Sequence, residues 1–151
     1  MLTLISLPVF DDNYIWVLHD GRHAVAVDPG DPAPLIAFLD AHQLGLTAIL
    51  ITHHHRDHTG GNVLLRQRYQ CAIYAPDNPR IPAVTHILHG GDSVNLAEPE
   101  LHFDVLATPG HTLDHISYVG HGNLFCGDTV FGCGCGKLFE GSPAMMATSL
   151  D

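Results

Sequence analysis

Positive charge is the scarcest commodity in this sequence. Its 151 residues hold 6 Lys+Arg against 16 Asp+Glu, a formal net charge of −10, and Lys137 is the only lysine. A nucleic-acid backbone is bound by clustered cations, so the composition speaks against such a partner, and against an anionic membrane surface on the same ground. No apolar run approaches the ~20 residues of a spanning helix. The opening stretch "MLTLISLPVFDDNY" lacks the basic start of a secretory signal and meets Asp11 and Asp12 at once. The four cysteines (Cys71, Cys126, Cys133 and Cys135) form no CxxC pair, which reads as reduced thiols in a cytoplasmic protein. A GxSxG motif is missing too, so there is no nucleophilic-serine signature.

Apolar residues, at 46%, suffice for one packed domain, and the compositional outlier is histidine, with 13. Short β-type runs separated by Gly, Pro and Asp predict strands over 2–9, 14–20, 23–30, 46–52, 71–76, 101–110, 115–120 and 123–129. The spacing predicts helices over 31–45, ended by Gly45, and over 60–70, with Val63, Leu64 and Leu65 turned inward. A third is expected over 142–151, with Ser142 as N-cap and Pro143 in the first turn. Residues 85–96 predict a hairpin across Gly90-Gly91. The run "LTAILIT" (46–52) is apolar throughout, as in a strand buried on both faces.

That strand runs directly into "THHHRDH" (52–58). Imidazole and carboxylate together suit zinc, iron or manganese. Alternate residues of an extended segment point the same way, so His53 and His55 can share a side, and a turn at Asp57-His58 can aim both at a neighbouring position. The spacing thus divides into two pairs, one for each of two metals. "TPGHT" (108–112) and "CGDT" (126–129) add His111 and Asp128 at two further strand ends. A carboxylate can bridge two metals, and such a pair can deprotonate a water at neutral pH. His54, His86, His89, His102 and His121 read as ordinary core or surface histidines, and Cys133 and Cys135 are not needed as ligands.

Together, "THHHRDH", "TPGHT" and "CGDT" resemble the motifs of the metallo-β-lactamase fold. "FDDNYIWVL" (10–18) and "GCGKLFEG" (134–141) resemble the glyoxalase II family in particular. The resemblance implies an α/β architecture, an αββα sandwich, with two divalent ions, zinc first and iron or manganese as alternatives. It assigns His53, His55 and His111 to one ion and Asp57 and His58 to the other, with Asp128 bridging. It implies hydrolysis of S-D-lactoylglutathione, a small-molecule glutathione thioester, by a metal-held hydroxide in a monomeric protein. Lys137 would contact the glutathione moiety, and Phe139 would be an aromatic substrate contact.

The resemblance also marks departures. The family carries a further downstream histidine for the second metal and a helical C-terminal domain for substrate. Residues 1–151 contain neither, so the expected domain is a C-terminally incomplete one. Asp114 stands where many relatives have glycine. Two other readings fit the same residues: an inactive fragment holding one metal through His53, His55, His111 and Asp128, or a mononuclear iron sulfur dioxygenase.

Overall fold

The computed structural model describes all 151 residues. The first half lays down one mixed sheet. Strands β1 (Thr3–Val9), β2 (Asn13–His19) and β3 (His23–Val27) run antiparallel to one another. Strands β4 (Gly45–Leu50), β5 (Ala72–Pro76) and β6 (His86–Leu88) then add in parallel, giving the order β1-β2-β3-β4-β5-β6. Parallel neighbours need crossovers. These are helix α1 (Pro32–His42) between β3 and β4, helices α2 (Arg56–Thr59) and α3 (Asn62–Tyr69) between β4 and β5, and the helix-free segment 77–85 between β5 and β6.

The second half forms an antiparallel sheet in the order β10-β9-β8-β7, from β7 (Ser93–Ala97), β8 (Glu100–Ala107), β9 (Ile116–Gly120) and β10 (Asn123–Phe125). A two-stranded ribbon, β11 (Val130–Phe131) with β12 (Gly134–Cys135), precedes helix α4 (Pro143–Leu150).

Two apolar layers hold this together, and β4 feeds both. Its Ile49, with Ile51 just beyond, packs under the helices against Leu35, Leu39 and Leu65. Ala48 and Leu50 point the other way, into the space between the sheets with Val105, Phe103 and Tyr118. Period-two alternation with both faces covered is why the run is apolar throughout. Helices α1 and α3 therefore cover the outer face of the first sheet. The outward positions of β8 (Glu100, His102, Asp104 and Leu106) are exposed, and α4 instead fastens to the 109–110 loop, where Ser149 Oγ donates to Pro109 O at 2.7 Å.

Local chemistry sets the ends. The Asp31 side chain accepts from Ala33 N–H at 3.0 Å and Pro32 opens α1, while Ser142 Oγ accepts from Met145 N–H at 3.2 Å to start α4. Several expectations need correction. Helix α1 stops at His42 because Gln43 takes a left-handed conformation (φ 55°); Gly45 already belongs to β4. In α3 only Leu65 of the three apolar neighbours turns inward, with Val63 and Leu64 each 47% exposed. A 3.6-residue period cannot bury three consecutive side chains on one stripe. The expected 85–96 hairpin does not form. Strand β6 pairs with β5 and β7 with β8, so Gly90-Gly91 passes the chain from one sheet to the other. The glycines mark a sharp change of direction, which by itself names no partner for the strands it joins.

Candidate metal centre

The residues singled out along the chain meet at one end of the two sheets. Strand β4 delivers Thr52, whose carbonyl accepts from Ile116 N–H at 2.9 Å, so the start of the histidine loop is tied to the second sheet. His53 follows in a bend and His55 in extended backbone. The single-turn helix α2 then aims the adjacent Asp57 and His58 into the same space, which is the turn expected at those two positions. His111 arrives from the loop after β8, and Asp128 from the turn after β10.

Two groups of converging donor atoms result. His53, His55, His111 and Asp128 form one, and Asp57, His58 and Asp128 the other, each with its ligand atoms within 4.8 Å of one another. Asp128 belongs to both through different oxygens. Its Oδ2 lies 3.1 Å from His111 Nε2 and 3.6 Å from His53 Nε2, while its Oδ1 lies 3.3 Å from His58 Nε2. His111 Nε2 is 3.0 Å from His55 Nδ1.

Hydrogen bonds on the far side of three rings determine which nitrogen faces inward. Thr52 Oγ1 donates to Asp28 Oδ2 at 2.6 Å and so must accept from His53 Nδ1–H, at 2.9 Å. His58 Nδ1–H donates to Asp28 Oδ2 at 2.9 Å, and His111 Nδ1–H to the Lys137 carbonyl at 2.6 Å. Each pairing leaves Nε2 pointing into the cluster, the usual arrangement of imidazole metal ligands. His53 Nε2 and His58 Nε2 are buried and have no hydrogen-bond partner. Buried polar atoms are rarely left so. Two such atoms among imidazoles and carboxylates are the donor set a divalent cation takes up, and the residues fit one.

The charges agree. Burial pulls the His58 imidazole down, but Asp28, Asp128 and Asp57 around it together push it up to about 12. Its Nε2 lies 3.4 Å from Asp57 Oδ2 without hydrogen-bond geometry, so the attraction on that side is ionic. Asp57 is lowered to about 2, first by His58 and then by Asn13, whose side-chain N–H donates to Asp57 Oδ2 at 3.0 Å. Burial would raise Asp128, but His111 and His58 hold it far below the carboxylate range. Burial keeps His53 well below its ordinary value. Without metal, a proton on His58 offsets the neighbouring carboxylates, and a cation would displace it.

Sequence reading missed the support of this cluster. Asp28 orients His58 and Thr52, and Asn13 holds Asp57. His115, brought down to about 3 by burial, accepts from Asp128 N–H at 3.2 Å. The one available signal was Asp28 itself, a carboxylate at the end of a buried strand in "VDPG". Tight backbone approach is also built in: a Cβ on Gly30 would lie 1.8 Å from Asp57 O.

Phe139 stands beside the first group, its ring centroid 5.2 Å from that of His55 and 5.3 Å from that of His111, and Lys137 Nζ lies 4.9 Å above the Phe139 ring. A cavity of about 600 Å³ opens beside the second group, walled by Tyr14, Trp16, Leu124 and Phe131 among others. Neither Lys137 nor Phe139 lines it.

Residues 8–149 match the metallo-beta-lactamase superfamily, and the chain belongs to it. That membership and the His/Asp groups indicate divalent-metal binding. Among similar proteins is the hydroxyacylglutathione hydrolase of Thiobacillus denitrificans, 73% identical over the whole of this chain. The chain spans 59% of that relative's length. Two crystal structures share the fold. BLEG-1 B3 metallo-beta-lactamase is 27% identical with a TM-score of 0.87, over 98% of this chain and 83% of that one. ETHE1 from Myxococcus xanthus is 31% identical with a TM-score of 0.84, over 98% and 68%. No helix here is long and apolar enough to cross a membrane.

Proposed function

We propose that residues 1–151 are the metallo-β-lactamase-type domain of a hydroxyacylglutathione hydrolase, which cleaves S-D-lactoylglutathione to glutathione and D-lactate in the cytoplasm. The observation that carries this reading is the division of Asp128 between two ligand groups, taken with the 73% identical relative of that name. His53, His55 and His111 would hold one ion and Asp57 and His58 the other, with Asp128 on both and zinc as the expected metal. When bound, such ions polarise a carbonyl oxygen and lower the pKa of water.

The protein's own part is to hold, orient and shield. Thr52, Asp28 and the Lys137 carbonyl lock three imidazoles with a bare nitrogen inward. Asn13 keeps the Asp57 carboxylate turned to His58. Lys137 offers an ammonium to a glutathione carboxylate, and Phe139 gives the acyl-thioester an apolar edge against His55 and His111. A thiolate leaves without a dedicated proton donor. The convergence of Asp57, His58 and Asp128 favours this two-ion hydrolase over a one-ion sulfur dioxygenase or a one-ion inert fragment.

The test is release of glutathione from S-D-lactoylglutathione by the purified, zinc-loaded chain, with Asp128→Ala in parallel. Thiol release that Asp128→Ala abolishes supports the reading. A chain carrying two ions that releases no thiol overturns it.

A further inference from the structure

Among the histidines of the two ligand groups, His55 is the one whose side chain makes no hydrogen bond outside the cluster; the Asp128 carboxylate likewise meets only His53, His58 and His111. His53 is tied to Thr52, His111 to the Lys137 carbonyl, His58 to Asp28, Asp57 to Asn13. The His55 side chain makes one hydrogen-bond-length contact, and that is to His111. Four rings stand edge-on to its own: His53 and His111 from the cluster, with centroids 4.9 and 4.7 Å away, and from outside the cluster His54, at 4.7 Å and 81°, and Phe139, at 5.2 Å and 87°. Outside the cluster, the placement of His55 depends on His54 and Phe139.

Both are secured through Glu140. His54 is buried and turned away from the metal groups, and its Nε2–H donates to Glu140 Oε2 at 2.9 Å. The same oxygen accepts from Arg80 Nη2 at 3.1 Å. The other, Oε1, accepts from Leu113 N–H at 2.9 Å, two residues past His111. The backbone on either side of Glu140 is zipped to the His111 loop, with Phe139 N–H donating to His111 O at 3.2 Å and Gly141 N–H to Gly110 O at 3.1 Å. The Leu113 N–H, His54 and Arg80 hold the Glu140 carboxyl at about 2, so it is ionised at any ordinary pH.

We propose that Glu140 is a positioning residue of the metal centre: it clamps His54, Leu113 and Arg80 at once and thereby sets where His55 stands relative to His53 and His111. A charged acceptor suits this task, because bonds to ionised groups are about twice as strong as neutral ones. The clamp acts on the first ligand group alone, since Asp57 and His58 have supports of their own. The inference rests on the metal-binding reading above and is independent of the substrate.

The test is titration of the metal-free chain with cobalt(II), followed by its visible absorption, for wild type, Glu140→Ala, Glu140→Gln, His54→Ala and the double variant His54→Ala/Glu140→Ala. Loss of a group that orients a ligand costs about 10- to 100-fold in metal affinity. Glu140→Ala is expected to weaken one cobalt by tenfold or more and to alter its absorption bands, leaving the other cobalt's affinity as it was. Glu140→Gln, which keeps an acceptor for the Leu113 N–H, is expected to lose less. In the double variant the losses should fall well short of the product of the single ones, because both act through one contact. Should Glu140→Ala fail to fold, Glu140→Gln carries the same comparison. Two cobalts bound by Glu140→Ala with wild-type affinity and spectrum, or fully multiplicative losses, would overturn the proposal. A wild-type chain that takes up no cobalt would overturn the metal reading itself.

Discussion

Asp28 Oδ2 accepts a hydrogen bond from His58 Nδ1 at 2.9 Å, joining two residues 30 positions apart. Asp28 is 5% exposed, sits at the end of β3 in a left-handed conformation (φ 53°), and serves Thr52 with the same carboxylate. Replacing it by alanine strands the His58 and Thr52 donors in a buried place, at a cost of about 1–3 kcal/mol. We expect Asp28→Ala to melt at lower temperature than wild type and to bind about one metal per chain where wild type binds two. Elemental analysis beside a thermal scan checks both.

Gly30 lies where the β3–α1 turn passes under α2. A Cβ there would meet the Asp57 carbonyl carbon at 2.4 Å and Phe10 Cε2 at 2.9 Å. Phe10 can swing aside, but the Asp57 backbone cannot without carrying its carboxylate away from His58. Gly30→Ala is expected to lose about 1–3 kcal/mol, as overpacked sites do, and to weaken the Asp57–His58 group. Urea denaturation with and without zinc measures this: the gap from wild type should widen when zinc is added.

Tyr118 reaches across the interior to donate from its hydroxyl to Ile51 O at 2.7 Å, the last carbonyl before the histidine loop. Its ring is fully buried between the sheets. Tyr118→Phe keeps the packing and removes only that donor, so a loss of about 0.5–1.5 kcal/mol is expected. Denaturant titration of the metal-free chain reads it directly.

The pH response of the metal-free chain follows from the signs of its shifts. His58 is raised, to about 12. Its contribution is full below the unfolded value of about 6.5 and is lost as pH rises from there toward 12. Asp57 and Glu140 are lowered to about 2. Their contributions are present above about 4 and fade as pH falls. His115, lowered to about 3, and the likewise lowered His53 also cost stability as pH falls below about 6.5, because they charge more readily once unfolded. The melting temperature of the metal-free chain should therefore peak near pH ~6.5 and fall on both sides. With saturating zinc the alkaline fall should vanish, since binding requires His58 unprotonated. A metal-free chain that grows steadily more stable from neutral to alkaline pH would contradict this.

The convergence of the candidate site's residues was legible because most of them are local in sequence. His53, His55, Asp57 and His58 fall within one loop at the end of an apolar strand, and strand-end placement brings His111 and Asp128 to them. Helix caps at Asp31 and Ser142 were legible for the same reason, each being a contact between near neighbours. Asp28, Asn13 and Glu140 act on residues 30, 44 and 86 positions away, and no spacing rule reaches that far. His54 illustrates the limit. It reads as an ordinary buried histidine, and only the fold reveals that its partner is Glu140. The lost hairpin at 85–96 has a similar cause. Two short strands around Gly90-Gly91 look like natural partners until β5 and β8 offer each a longer neighbour.

The central claim is that Asp128 serves two metal ions at once. Its most direct test is the number of metal ions bound per chain by elemental analysis, on wild type and Asp128→Ala purified side by side. The account predicts about two for wild type and a clear loss at both groups for Asp128→Ala. One ion in wild type, or two that survive the loss of the Asp128 carboxylate, would contradict it.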